Sequence, residues 1–375
     1  MPDNAPKNLL FDVDGTVLGD IDTLRHGVGL RFLRCLEELA GRDYRFAFIT
    51  GNDFALQRDR VLEPIIERGL GPRVFCFSDG GSRAFEFSPD SGAFAEIQAY
   101  SEPNVIAPDQ VQLVRRLFEE TIDPFLEQRP WARLPAVLWY KPANDYIEIR
   151  VGPLRPSFVN SPELSRFCDR VRDLGQRPDV RHAKIDIVPG KPGALVIHLL
   201  GQDIFPDVSG FINLIHHRIL SRAEYRGLSR PEMEVRGGEV ACQIALKPFN
   251  DQADRVAFHA LLSARLQEEA PAQFSVLLGG GTTVDIQLRG VDKRKAVRYL
   301  MERQGLQGGD MLYWGNEFGE HGNDLAVARM PDEQRPVGIV NVGPPSGLDT
   351  GRIYEDGNGP EGTVSYLKFL LLNTR

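Results

Sequence analysis

Two aspartates spaced two apart, Asp12 and Asp14, follow the apolar run Leu9-Leu10-Phe11 and precede Gly15-Thr16-Val17. The apolar run reads as a buried strand, and Gly15 is where that strand breaks into a loop. Open α/β sheets place their ligands at the carboxyl ends of parallel strands, which is where these carboxylates fall. The backbone N–H groups that follow can curl round an anion. One carboxylate can then attack phosphorus while its neighbour handles protons, with a divalent cation offsetting the charge. The same residues also suit a strand end whose acidic side chains cap the following turn.

The elements around this segment alternate. Residues 29–40 carry Leu30, Leu33, Leu36 and Leu39 on one helical face, residues 44–50 (YRFAFIT) form an apolar strand, residues 53–68 read as a helix, and residues 73–78 as a third strand. Strand–helix–strand alternation predicts a parallel sheet. The turn-rich piece Ser88-Pro89-Asp90-Ser91-Gly92 separates two short strand-like runs and reads as a hairpin. Beyond it, helical segments 109–128 and 161–174 alternate with strands 136–140 and 146–151, and Ser161-Pro162-Glu163 is a strong helix start. Residues 176–238 have no assignable topology. Residues 239–246, a helix over 251–269 and strands over 274–278 and 283–288 complete an α+β pattern. A helix over 293–304 and strands over 311–314 and 337–342 return to the doubly wound arrangement. The fold class expected is therefore α/β: a doubly wound parallel-sheet core (1–92 and 290–375) with an inserted α+β cap domain (93–289) lying over the strand ends as a lid.

Composition narrows the function classes. The chain has 375 residues, 42% of them hydrophobic and 26% charged, as in a water-soluble globular protein large enough for two domains. A formal net charge of −8 gives no basic footprint for nucleic acid and disfavours anionic membrane surfaces. No apolar stretch approaches the ~20 residues of a bilayer span. Residues 1–7 lack the apolar core of a signal peptide, and Cys35, Cys76, Cys168 and Cys242 show no paired spacing. A cytoplasmic location is expected.

Three further pieces could complete a site. The 44–50 strand ends in Thr50-Gly51-Asn52-Asp53, where a hydroxyl beside a helix start can donate to a phosphate oxygen, or simply cap the helix. Gly290-Val291-Asp292-Lys293 opens a helix with a lysine, which the helix dipole disfavours, so Lys293 either reaches into a cluster of anions or is solvated. Trp314-Gly315-Asn316-Glu317 ends a strand and leads to Gly322-Asn323-Asp324, a loop whose oxygens suit magnesium beside a phosphate.

The order of these pieces resembles the four-motif succession of the haloacid dehalogenase superfamily over the full length of the chain. The resemblance is greatest to its branch with a large α/β cap between the second and third motifs, which holds Cof-type sugar phosphatases, mannosyl-3-phosphoglycerate phosphatases and phosphomannomutases. Residues 279–286 (GGGTTVDI) followed by Gly290-Val291-Asp292-Lys293 are similar to the cap re-entry of phosphomannomutases. Residues 144–155 (NDYIEIRVGPLR) are similar to that family's cap strand and basic substrate loop.

The resemblance implies that Asp12 is a nucleophile forming an aspartyl phosphate and Asp14 a general acid and base. It implies that Thr50 and Lys293, with Gly51 and Asn52, hold the phosphoryl oxygens. It further implies Mg2+ bound by Asp12, the Asp14 carbonyl, Asn316 and Asp324 (directly or through water). In the cap, Arg150, Arg155 and Asp285 are the substrate-recognition candidates, because a sugar phosphate needs a cation for its phosphate and carboxylates for its hydroxyls. One departure is that Asn316 stands where the family usually has aspartate, which removes a negative charge from the metal site. The expected activity is a Mg2+-dependent phosphatase of a small phosphorylated metabolite, in particular a sugar phosphate. The alternatives are a sugar phosphomutase, suggested by the cap re-entry, and a non-catalytic sugar-phosphate sensor, suggested by Asn316.

Overall fold

The computed structural model describes residues 6–19, 22–128, 138–142, 146–151, 161–175, 184–189, 195–200, 215, 219, 231–237, 240–247, 249, 252–279, 283–320, 322–348 and 353–373. Strands β1 (Asn8–Phe11), β2 (Arg45–Ile49), β3 (Val74–Ser78), β4 (Arg83–Ser88) and β5 (Ala93–Glu96) come first. They are followed by β6 (Leu138–Pro142), β7 (Tyr146–Val151), β8 (Lys184–Pro189), β9 (Leu195–Leu200), β10 (Glu232–Arg236), β11 (Gln243–Lys247), β12 (Phe274–Gly279) and β13 (Thr283–Leu288). The chain then returns through β14 (Met311–Gly315), β15 (Gly338–Asn341) and β16 (Ile353–Glu355).

The largest sheet has the order β16-β15-β14-β1-β2-β3-β4-β5. Its first six strands run parallel, and β4 and β5 are antiparallel additions joined by the turn after Ser88. Side chains alternate between faces along a strand. Leu9 and Phe11 therefore pack with the helices Gly27–Ala40 and Gly359–Asn373, through Phe32, Leu36, Val364 and Leu367. Leu10 packs on the opposite face with Ala296, Val297 and Leu300 of the helix Lys293–Gln304. Phe11 lies at the middle of an aromatic cluster, with ring centroids 5.1 Å from Phe32, 5.8 Å from Phe48 and 4.8 Å from Trp314. That packing fixes three neighbouring strand ends relative to one another, because β1 pairs with both β2 and β14 in register, Phe11 opposite Phe48 and Trp314.

Two antiparallel four-stranded sheets, ordered β6-β7-β9-β8 and β10-β11-β13-β12, come from the chain between the two halves of the core. In the second sheet, Ile244, Leu246, Val284 and Ile286 pack on the helices Pro108–Glu127 and Gln252–Glu269. The alternate positions Gln243, Asp285 and Gln287 consequently share the opposite face. This face meets the core: Gln287 Nε2 donates to the Asp79 carbonyl at 2.7 Å, and Arg236 Nη1 to the Gly51 carbonyl at 2.8 Å.

One helix differs from its expected form. Residues 53–68 do not make a single α-helix: Phe54–Gln57 and Glu63–Glu67 are α-helical, and a π-helical turn over Arg58–Leu62 separates them. Amphipathic spacing cannot announce that wider turn, whose local period departs from 3.6. The strand β16 and the helix Gly359–Asn373 were absent from the sequence reading. The helix carries Phe369 and Leu372 on exposed positions, which blurs its polar face.

Candidate active site

The residues singled out by chemistry converge on one edge of the parallel sheet. Asp12 follows β1, Thr50 follows β2, and Asn316 follows β14, so three adjacent strand ends present them together. Strand order reverses direction between β1 and β14, and such switch points are where doubly wound sheets open a crevice.

Asp12 is 5% exposed. Its Oδ1 accepts from Lys293 Nζ at 2.6 Å and its Oδ2 from Thr16 Oγ1 at 3.2 Å. Lys293 is the first residue of its helix, 1% exposed, and also donates to Asp324 Oδ1 at 2.6 Å. Burial works against the ammonium, but the two carboxylates outweigh it and hold the Lys293 pKa above the ordinary lysine value. Burial likewise pushes Asp12 up to about 7, with Lys293 opposing and Asp324 assisting that rise. Of the two sequence readings of Lys293, the structure has the lysine that reaches into anions.

Asp14 lies beyond the strand with its side chain 30% exposed. Its Oδ1 accepts from Arg60 Nη1 at 2.7 Å and its Oδ2 from Asn52 Nδ2 at 2.5 Å. Gly15 takes a φ of +77° and stands against Asn316, where a Cβ would lie 2.3 Å from the amide group, so the turn both needs glycine's conformation and leaves no room for a side chain. The Thr50 hydroxyl is buried and accepts from the Asn52 N–H at 3.1 Å and from Gln57 Nε2 at 3.4 Å. Gly51 faces open space.

Asp324, expected as a magnesium ligand directly or through water, has both carboxylate oxygens engaged by protein donors. Its Oδ1 accepts from Lys293 and from the Tyr313 hydroxyl, and its Oδ2 from the backbone N–H groups of Asn316 and Glu317 at 3.0 and 2.9 Å. Four donors fill the acceptor capacity of a carboxylate. Asp324 therefore anchors Lys293 and the loop after β14.

Among the described residues, no group of three or more His, Cys, Asp or Glu side chains could hold a metal ion. A mixed set of hard oxygens does fit magnesium. One polar atom of the Asn316 amide lies 3.0 Å from Asp12 Oδ2 and 3.2 Å from the Asp14 carbonyl. Oxygens at right angles round a magnesium ion at ~2.1 Å are about 3.0 Å apart. With its oxygen in that place, Asn316 joins a three-oxygen donor set; turned over, its nitrogen donates to both oxygens instead.

A small cleft above this edge is lined by Gly51 and Lys293 from the core, by Gln243, Asp285 and Gln287 from the facing sheet, and by Asn323. Asp285 is 4% exposed, and burial pushes it up to about 6 against the opposing charges of Arg236 and Lys247. Asp285 Oδ1 and Asn323 Oδ1 are buried acceptors with no hydrogen-bond partner. Two orphaned acceptors on one small cleft call for a ligand with hydrogen-bond donors, since leaving them unmade costs free energy. Of the other recognition candidates, Arg150 belongs to β7 and its side chain lies outside the described residues, as does all of Arg155.

Sequence reasoning missed Arg60, Tyr313, Gln243 and Gln287. Gln243 and Gln287 carried a usable signal: each is a polar residue alternating with buried aliphatics in a strand. Arg60 carried none, because its carboxylate partner Asp14 lies 46 residues away, and Tyr313 carried none, because its hydroxyl meets Asp324 only once the loop after β14 folds back.

No protein-family model and no curated protein sequence matches the chain. Solved structures do. An IMP-bound, N-terminally truncated IMP-nucleotidase of Plasmodium falciparum superposes with a TM-score of 0.51 at 10% identity, covering 99% of this chain and 69% of that one. The ATP-bound form of the same enzyme gives 0.50 at 11%, covering 100% and 62%. A haloacid dehalogenase-like hydrolase from Bacteroides thetaiotaomicron gives 0.48 at 12%, covering 97% and 99%. At these identities the likeness is one of fold alone: the chain shares its overall α/β fold with the IMP-nucleotidase structures.

Proposed function

We propose that the protein is a phosphatase of small phosphate monoesters that works through a phosphorylated Asp12. The observation that carries this reading is the buried ion triad in which Lys293 Nζ stands 2.6 Å from both Asp12 Oδ1 and Asp324 Oδ1, at the mouth of a cleft. Asp12 attacks phosphorus, an Asp12 oxygen–phosphorus bond forms, and the bond to the leaving oxygen breaks while that oxygen takes a proton from Asp14. Water then returns a proton to Asp14 as it attacks phosphorus, which frees inorganic phosphate and Asp12. Lys293 spends two N–H donors on carboxylates and keeps the third for a phosphoryl oxygen. The Thr50 hydroxyl accepts twice and keeps its own proton for another. Magnesium held by Asp12 Oδ2, the Asp14 carbonyl and the Asn316 amide oxygen would offset the phosphoryl charge.

The orphaned acceptors Asp285 Oδ1 and Asn323 Oδ1 favour a substrate whose non-phosphate part carries hydroxyl or amino donors. Sugar phosphates meet that requirement. So do nucleoside monophosphates, a second reading supported by the likeness of fold to a nucleotidase with bound IMP. The test is phosphate release with magnesium from a panel containing glucose 6-phosphate, ribose 5-phosphate, inosine monophosphate and p-nitrophenyl phosphate. Turnover is expected to vanish in Asp12→Asn. Release from none of the four by the wild type overturns the reading, and isomerisation without release favours a mutase.

A further inference from the structure

Arg60 is a buried arginine 46 residues from the carboxylate it grips, and nothing in the proposed reaction has used it. It is 3% exposed and occupies the middle of the π-helical turn Arg58–Leu62. Such turns place a side chain off the regular helical phase and recur at functional sites. All three edges of its guanidinium are engaged: Nη1 donates to Asp14 Oδ1 at 2.7 Å, Nη2 to the Gly19 carbonyl at 2.9 Å and Nε to the Asp22 carbonyl at 2.9 Å. Its own carbonyl accepts from the Leu24 N–H at 3.0 Å. One rigid fork thus binds the loop after β1 to the helical segment after β2. Asn52 takes the other Asp14 oxygen, so both oxygens are oriented while the side chain remains 30% exposed.

A buried guanidinium spanning two loops could serve stability alone. The choice of partners argues for more, because two carbonyls would anchor the loop without Asp14, whereas the third bond is made to a partly exposed carboxylate whose free rotation in solvent would otherwise be cheap. We infer that Arg60 is a positioning residue for Asp14, holding its carboxyl where it exchanges a proton with the leaving oxygen. This inference rests on the phosphatase reading. Misplacing a proton-transfer group by about an ångström costs roughly 100-fold in rate. The loss falls on substrates whose leaving oxygen needs a proton and much less on those whose leaving group departs as a stable anion.

The test compares kcat/KM for the alkyl ester of the panel that the wild type turns over fastest with kcat/KM for p-nitrophenyl phosphate. This parameter reports the steps through departure of the leaving group, so slow hydrolysis of phosphorylated Asp12 does not mask the effect. Arg60→Met is expected to lose roughly 100-fold on the alkyl ester and far less on p-nitrophenyl phosphate, shifting the ratio at least tenfold. Arg60→Lys, which keeps the charge and one donor toward Asp14, is expected to recover part of that ratio, and it carries the test if Arg60→Met does not fold. Equal losses on both esters, or no loss, overturn the inference alone. A wild type inactive on both overturns the functional reading and this inference with it.

Discussion

Replacing Lys293 by methionine tests the electrostatic centre of the site with little change in side-chain length. In the native protein the ammonium is 1% exposed and bonds two carboxylates, Asp12 at 5% and Asp324 at 0% exposure. Methionine leaves both carboxylates buried without a cation. Removing one partner of a buried ionic group costs about 3–5 kcal/mol, because the remaining charge is desolvated and uncompensated. That cost depends on pH, and its sign is fixed by Asp12. Burial already raises its pKa to about 7 in the presence of Lys293, from the ordinary aspartate value of 3.8, and loss of the lysine removes the largest opposing influence. A carboxyl with a raised folded-state pKa favours folding at low pH, and this contribution is lost as pH rises through the folded value. The variant's deficit is therefore smallest near pH 5 and approaches about 3–5 kcal/mol above pH 8. Urea unfolding of both proteins in chelator, at pH 5 and pH 8, measures it. A deficit below about 1 kcal/mol at pH 8, or one equal at the two pH values, refutes the argument.

Three other outcomes follow from particular contacts. Asn316→Asp restores a formal charge beside Asp12 and the Asp14 carbonyl, and calorimetric titration is expected to show magnesium binding at least about tenfold tighter, or 1.4 kcal/mol; unchanged affinity would place the metal elsewhere. Asp79 is fully buried, holds a φ of +53° and is pushed by burial up to about 6, with its Oδ1 unpartnered. Asp79→Asn keeps the shape, suits positive φ and removes the charge, so it should stabilise the protein at pH 7.5 by as much as about 3 kcal/mol and confer little at pH 4, as read from paired urea melts. Asp285→Ala removes an orphaned acceptor from the cleft and is expected to raise KM for hydroxyl-bearing substrates about tenfold while changing p-nitrophenyl phosphate turnover much less; equal effects on both would remove Asp285 from recognition.

How far the molecule was legible in sequence follows from where each piece of information resides. The strand ends at Asp12, Thr50 and Asn316 were readable because apolar runs stop at Gly or polar residues, a signal contained in a few adjacent positions. Helices Lys293–Gln304 and Gln252–Glu269 were readable from periodicity and capping for the same reason. The polar face of the second antiparallel sheet was half legible. Gln243, Asp285 and Gln287 alternate with aliphatic residues, but only the packing of Ile244, Val284 and Ile286 on two helices decides which face meets the core.

By itself, then, the chain's sequence determined a doubly wound core, its chemically equipped strand ends and their order. Tertiary structure alone decided that Lys293 lies between Asp12, 281 residues away, and Asp324. It likewise decided that Asp324 is consumed by four protein donors, that Arg60 grips Asp14, and that Asn316 reaches the oxygens around Asp12. The physical reason is that a strand or a cap is a local conformational preference, whereas an ion's partner is set by which loops the closed sheet brings together and how far water is excluded from them.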